Sequence, residues 1–336
     1  MKARVLAGLA GLAAFVWLLP GPGPAVPVEG YHVAMGTVVR VALFADEDRA
    51  PPLFAQAWGL IDRLDSALTH YGVSSEIARL HGIAPGQPKA LSEELHQVLA
   101  PALELARRTD GAFDPALGAL TALWGFPEAR RPPAPASIDS ALALGGYEQV
   151  RLSQGRVIFE RAGVRLDLGA AAKGHVVDRT VDLLRAAGVE AGVVEAGGDL
   201  RFWGRKPDGR PWRFGVQHPR DPADTVAVED VGLPALATSG DYELAFESEG
   251  RRYHHLLDPA TGYPAGRAVS ATAWARTALE ADALATAAFV AGPGPAMEWA
   301  AADDGLEVMV YYEDGGYLRR VHSDGLQGRI QAAPAP

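Results

Sequence analysis

Among its 336 residues the chain has no cysteine. That absence removes disulfides, thiolate metal sites, cysteine nucleophiles and a lipid-modified amino-terminal cysteine in one step. Basic residues are also few beside acidic ones: Lys and Arg total 31 against 41 Asp and Glu, a formal charge of −10. A surface that tracks phosphates needs clustered cations, so nucleic acid is excluded as a partner. Several catalytic signatures are missing as well. GxxxxGK[ST], GxGxxG, GxSxG, HExxH and any tight histidine cluster are all absent, which leaves serine hydrolysis and zinc chemistry without support.

What is present is an ordinary globular composition, with 48% hydrophobic and 21% charged residues. No long linker interrupts the chain, and the only loosened stretch is RRPPAPAS at 130–137. One unit over residues 28–330 follows, with two lobes meeting at a cleft and a short tail at 331–336. Ahead of it, Lys2 and Arg4 lead into an uncharged apolar run at 5–19 and then into PGPGPAVP. A basic start, an apolar stretch and a helix-breaking exit make a secretory signal or, if uncleaved, a signal anchor over residues 1–27. No second apolar stretch approaches a membrane-spanning length.

Hydrophobic spacing predicts one strand through HVAMGTVVRVALF, helices over 52–68 and 93–108, and short β runs separated by glycines over 147–166. A helix over 171–187, a buried strand at 189–196, further β segments, a helix over 279–290 and two final strands follow. The fold class is therefore α+β, a mixed α/β arrangement of sheets flanked by helices.

Three segments carry residues suited to chemistry. RLDLGAAAKGH at 165–175 runs from a strand into a helix, where free N–H groups favour an anion. Lys173 adds a point charge there and Asp167 an acceptor, although a capped helix with a solvated lysine gives the same pattern. In EADALATAAF, Asp282 and Thr286 lie four residues apart on one face of a nearly apolar helix. Both are hard oxygen ligands, and Mg²⁺ is commonly held by only one or two carboxylates. In RRYHHLLDPATGYP, His254 and His255 point to opposite faces of a strand, so only one can reach a site, where it would serve as a base. The stretches at 110–126, 194–204 and 237–243 join glycines, small residues and a carboxylate, the composition of loops that approach a ligand.

Taken together, MGT at 35–37, THYGVSSEIARL at 69–80, DGAFDP at 110–115, LWGF at 123–126, DLGAAAKG at 167–174, EAGGD at 195–199, TSGDYE at 238–243, HLLDPATGYP at 255–264 and ADALATA at 281–287 resemble the FAD:protein FMN transferases of the ApbE type. The resemblance runs in order over nearly all of residues 30–310. It implies an exported, periplasmic, Mg²⁺-dependent enzyme with a central FAD cleft. That enzyme would attach FMN to a threonine of a target protein through a phosphoester and release AMP. It further implies metal ligation by the Ala170 carbonyl, Asp282 and Thr286, with Ala285 close by. FAD contacts are implied for Met35, Tyr71, Ala112, Phe113, Asp114, Asp167, Lys173 and Leu256, and the role of base for His255. The acceptors it points to are flavin subunits of membrane electron-transfer complexes. With no amino-terminal cysteine, any membrane tether must come from the apolar leader. Two other activities stay open on the same residues: a Mg²⁺-dependent FAD pyrophosphatase yielding free FMN and AMP, and a flavin carrier without turnover.

Overall fold

The computed structural model describes residues 17–18, 26–68 and 75–332. Most of the leader, Tyr71 and the end of the tail lie outside them. Among the described residues no helix is long and apolar enough to cross a membrane.

The framework is an eight-stranded, wholly antiparallel sheet. Its spatial order is Tyr317–His322, Leu306–Asp314, Ser270–Ala275, Ala235–Gly240, Asp199–Trp203, Gly192–Ala196, Thr37–Leu43 and Val28–Ala34. Helices Gly169–Ala186 and Ala278–Ala291 pack in the main core on one face, and Trp212, Phe214 and Trp274 belong to a separate apolar layer. Ala278–Ala291 is apolar nearly all round and buried along almost its whole length, as such a helix must be. Thr277 caps it by accepting the Glu280 N–H. A third cluster, around Leu120, Trp124, Phe126, Ile138 and Leu257, joins two short helices to the hairpin Ala245–Ser248/Arg251–His254.

The structure departs from the sequence reading in four places. The single strand expected over HVAMGTVVRVALF is a hairpin, because Met35 and Gly36 both take positive φ (51° and 72°) between the paired Ala34 and Thr37. The stretch expected to be a loop at 194–204 is likewise a hairpin, turned by Gly197 and Gly198 (φ 61° and 94°) between Ala196 and Asp199. Thr238 and Ser239 belong to a central strand, Ala235–Gly240, rather than to a loop. Of the β runs expected over 147–166, only Val150–Ser153 and Arg156–Phe159 form strands, while Arg165 makes a lone bridge to Leu117.

Helix Gly169–Ala186 meets helix Ala278–Ala291 at Gly174, where a Cβ would stand 2.2 Å from the Ala278 carbonyl oxygen. Next along the same helix, the Asp178 carboxylate accepts the N–H groups of Ala278 (2.9 Å) and Leu279 (3.0 Å) and pairs with Arg201 at 2.9 Å. The seam has no room for a side chain. Gly174→Ala is expected to destabilise the protein by about 3 kcal/mol, the upper end of ordinary overpacking. Denaturant titration should show a lower midpoint at an unchanged slope.

Candidate functional site

A cleft of about 910 Å³ opens beside this helix pair. Its wall collects Met35, Phe113, Asp114, Asp167, Ala170, Lys173, His255, Leu256, Asp282 and Thr286 from segments far apart in sequence. Of the remaining sequence candidates, Ala285 is wholly buried in its helix and Ala112 packs against the core, both behind the lining. Tyr71 falls outside the described residues.

At the floor, Lys173 Nζ sits 2.8 Å from Asp199 Oδ2, and 3.4 and 3.5 Å from the two Asp282 oxygens. Asp282 also accepts the Gly174 N–H at 3.4 Å. Both carboxylates are nearly inaccessible, Asp199 at 2% and Asp282 at 4% exposure. Burial works against the charge on Lys173, but Asp199 and Asp282 outweigh it and hold the ammonium above its ordinary value. Burial, then the charge of Asp282, pushes Asp199 well above the usual carboxylate range despite Lys173. Asp282 is raised by burial as well, against the pull of Lys173 and the Gly174 N–H.

The same floor carries Thr286, whose hydroxyl lies 3.2 Å from that of Ser239, and Ala170. Ala170 breaks the helical backbone (φ −95°, ψ 27°), which turns its carbonyl off the helix line. Two buried carboxylates, with Glu243 nearby, face one ammonium. Excess negative charge and hard oxygen donors fit a divalent cation of the Mg²⁺ type. Among the described residues no group of three or more His, Asp or Glu could hold a metal alone. Any cation here therefore also needs hydroxyl, backbone and substrate oxygens.

Facing this floor, His255 donates its backbone N–H to the Leu244 carbonyl (3.1 Å), and its ring Nδ1 is buried without a hydrogen-bond partner. Burial, then His254 and Lys173, lowers it to about 3, so the imidazole is neutral at pH 7. Its neighbour His254 has Nε2 3.0 Å from the Ala265 carbonyl and is not among the cleft residues; it ends the strand Arg251–His254, so His255 lies in the bend beyond it and not on the strand as expected. Near the other wall, Asp114 accepts the N–H groups of Ala116 (2.7 Å) and Tyr147 (3.0 Å) and is raised by burial to about 6. Asp167 Oδ1 accepts the Gly169 N–H at 2.8 Å, capping the turn into the helix.

Sequence reasoning singled out neither Asp199 nor Glu243 individually, although both sit in segments it marked as ligand-approaching. The available signal was the Gly-Gly pair before Asp199, which predicts a tight hairpin and so an inward-facing carboxylate.

A model of the ApbE family matches residues 35–310. The FAD:protein FMN transferase of Vibrio cholerae is 32% identical over 318 residues, covering 91% of this chain and 95% of the relative. That of Treponema pallidum is 33% identical over 329 residues, covering 90% and 89%. Among solved structures, the apo flavinyl transferase ApbE of Pseudomonas stutzeri superposes with a TM-score of 0.79 at 30% identity, covering 90% of this chain and 96% of that one. The ApbE protein of Thermotoga maritima gives 0.79 at 34%, covering 90% and 99%.

The neutral His255 makes a prediction about stability. Its folded value, about 3, lies below its ordinary 6.5, so between these values the unfolded chain binds more protons. The contribution is complete above pH 6.5 and is lost as pH falls toward 3. Asp114 and Asp178, both raised to about 6 by burial, titrate with the opposite sign in an overlapping range. The test is therefore the difference between wild type and His255→Gln: denaturation free energies measured from pH 7 to pH 4 should fall less steeply in the variant.

Proposed function

The chain belongs to the ApbE family, and we propose that it is an FAD:protein FMN transferase that attaches FMN to a threonine of its target and releases AMP. The observation that carries this reading is the convergence, in one cleft, of an ammonium, two buried carboxylates, a hydroxyl and a neutral imidazole. The cleft is near the upper end of the ~300–1,000 Å³ typical of small-molecule sites, which suits a dinucleotide.

In this reading FAD lies along Met35, Tyr71, Ala112, Phe113, Asp114, Asp167 and Leu256. Its diphosphate faces Lys173, whose charge offsets the charge that builds on the phosphate oxygens in the transition state. Asp282, Thr286 and the Ala170 carbonyl, with Ala285 behind them, would hold Mg²⁺, which would neutralise the diphosphate and the departing AMP. His255 accepts the proton of the acceptor threonine as its oxygen bonds to the FMN-side phosphorus. The bond from that phosphorus to the bridging oxygen breaks, and AMP departs with the bridging oxygen. A base must be unprotonated to do this, and burial keeps His255 neutral; burial also makes it a weak base, which the phosphate charge of bound FAD would offset.

The leader at 1–27 exports the protein to the periplasm or anchors it at the inner membrane, and the acceptors are exported flavin subunits of membrane electron-transfer complexes.

The test is incubation of the protein lacking residues 1–27 with FAD, Mg²⁺ and an acceptor domain, with AMP and acceptor mass followed together. The acceptor should gain one FMN with stoichiometric AMP. EDTA should abolish both, and Asp282→Asn should lower the rate by at least about a hundredfold, the scale of losing a principal electrostatic contributor. AMP and free FMN with an unmodified acceptor would instead identify a pyrophosphatase, and bound FAD without AMP a carrier.

A further inference from the structure

Lys173 does not sit midway between its two carboxylates. Its ammonium is 2.8 Å from Asp199 Oδ2 but 3.4 and 3.5 Å from the oxygens of Asp282. Asp199 enters the floor from the sheet side, on the strand that leaves the Gly197–Gly198 turn. Asp282 enters from helix Ala278–Ala291. The Lys173 stem rises from the first turns of the opposing helix. A long, flexible ammonium with only one buried carboxylate in reach would close onto it, because an unpaired buried charge is costly. With Asp199 present there are two, and the shorter contact goes to the one on the sheet.

We propose that Asp199 is a positioning residue that draws the Lys173 ammonium off Asp282 and so keeps the Asp282 carboxylate available to a divalent cation. The inference rests on the reading of the floor as a cation seat and adds what keeps that seat open. Asp199 also hydrogen-bonds Asp282 directly, but the effect proposed passes through Lys173, and Asp199 itself need not touch the cation. Replacing Asp199 with Asn leaves Asp282 as the carboxylate in contact with Lys173, with Glu243 the remaining acidic neighbour, and the ammonium then competes with the metal for the Asp282 oxygens. The hairpin turn supplies the rigidity this requires. A Cβ on Gly197 would stand 2.9 Å from Thr37 Oγ1, so the turn is wedged against the neighbouring hairpin.

The test is a double-mutant cycle on cation affinity rather than on turnover. Mn²⁺ binding, followed by the loss of the free-ion paramagnetic resonance signal and by displacement with Mg²⁺, is measured on wild type, Asp199→Asn, Lys173→Gln and the double variant. Each is first checked for an unchanged circular dichroism spectrum and a cooperative thermal transition. Both substitutions nearly preserve side-chain volume, so the four corners of the cycle are compared at similar packing, and bound Mn²⁺ offsets the carboxylate charge left by Lys173→Gln. Asp199→Asn should weaken binding about tenfold or more in the presence of Lys173, and by no more than about threefold in the Lys173→Gln background. Equal losses in both backgrounds would overturn the proposal and make Asp199 a direct ligand or a simple through-space charge. A wild-type protein that takes up neither ion would remove the seat itself and with it both readings, whereas uptake by wild type with equal losses removes only this one.

Discussion

The charged floor of the site hangs on the seam between two helices that are about a hundred residues apart in sequence. Asp178 accepts two backbone N–H groups at the start of helix Ala278–Ala291, and its remaining charge is met by Arg201. Hydrogen bonds to a charged group are worth roughly 1.5–3 kcal/mol each, so this one carboxylate fixes the rotation and height of the second helix against the first. At Gly174, one turn toward the amino terminus of the first helix, the backbones touch at a spacing no side chain permits. From Ala278 to Asp282 is again one turn, which carries the Asp282 carboxylate to Lys173 and the Gly174 N–H. Thr286 follows one turn later. The functional spacing of four residues is therefore useful only because Asp178 and Gly174 set the helix at the right depth.

The electrostatics of the floor run against stability. Burying Asp199 and Asp282 together raises both, and a single lysine offsets only part of the cost. A core selected for stability alone would be apolar here, since buried ion pairs seldom repay their desolvation. The surrounding helix shows what such a core looks like, with Ala281, Ala283, Ala285, Ala287 and Ala288 all fully buried. Asp282 is the exception on an otherwise alanine-rich surface. Its cost is tolerated because the seam and the eight-stranded sheet over-determine its position.

Much of this was legible in sequence, and the part that was not shares a cause. Helices Glu93–Arg108 and Ala278–Ala291 announce themselves by periodicity or by an uninterrupted apolar run, and Asp282 with Thr286 could be placed on one face by counting. Lys173, Asp167 and His255 could be picked out one by one, and the family resemblance gathered them. The hairpin at Met35–Gly36 was hidden because the flanking residues alternate as in one continuous strand, and the reversal depends on a methionine at positive φ. Strand Ala235–Gly240 was hidden because ALATSG has neither β-branched density nor alternation; every residue is buried because strand Ser270–Ala275 pairs with its whole length, Asp199–Trp203 with its first two residues, and helix Ala278–Ala291 packs against it. The ion pairs on Lys173 could not be read at all, since they join residues 26 and 109 positions apart that meet only once the sheet and the helix seam exist.

The two sides of the cleft are also built on different supports. Lys173, Asp282 and Thr286 stand on the helix seam, inside the main core. His255 follows the hairpin that packs against Trp124 and Phe126, and the loop beyond it is pinned where Trp124 Nε1 donates to the Gly262 carbonyl at 2.9 Å. The imidazole is thus set by a small aromatic cluster with its own packing, and the charged floor by an alanine-rich interface that admits no repacking. A dinucleotide that reaches from one to the other is bound by groups whose separation neither support fixes alone. The chain that does link them is the sheet: strand Ala235–Gly240 presents Ser239 to Thr286, and its continuation through Leu244 holds the His255 N–H. That strand, the one composition disguised most thoroughly, and the turn that follows it to Leu244 join the His255 side of the cleft to its charged floor.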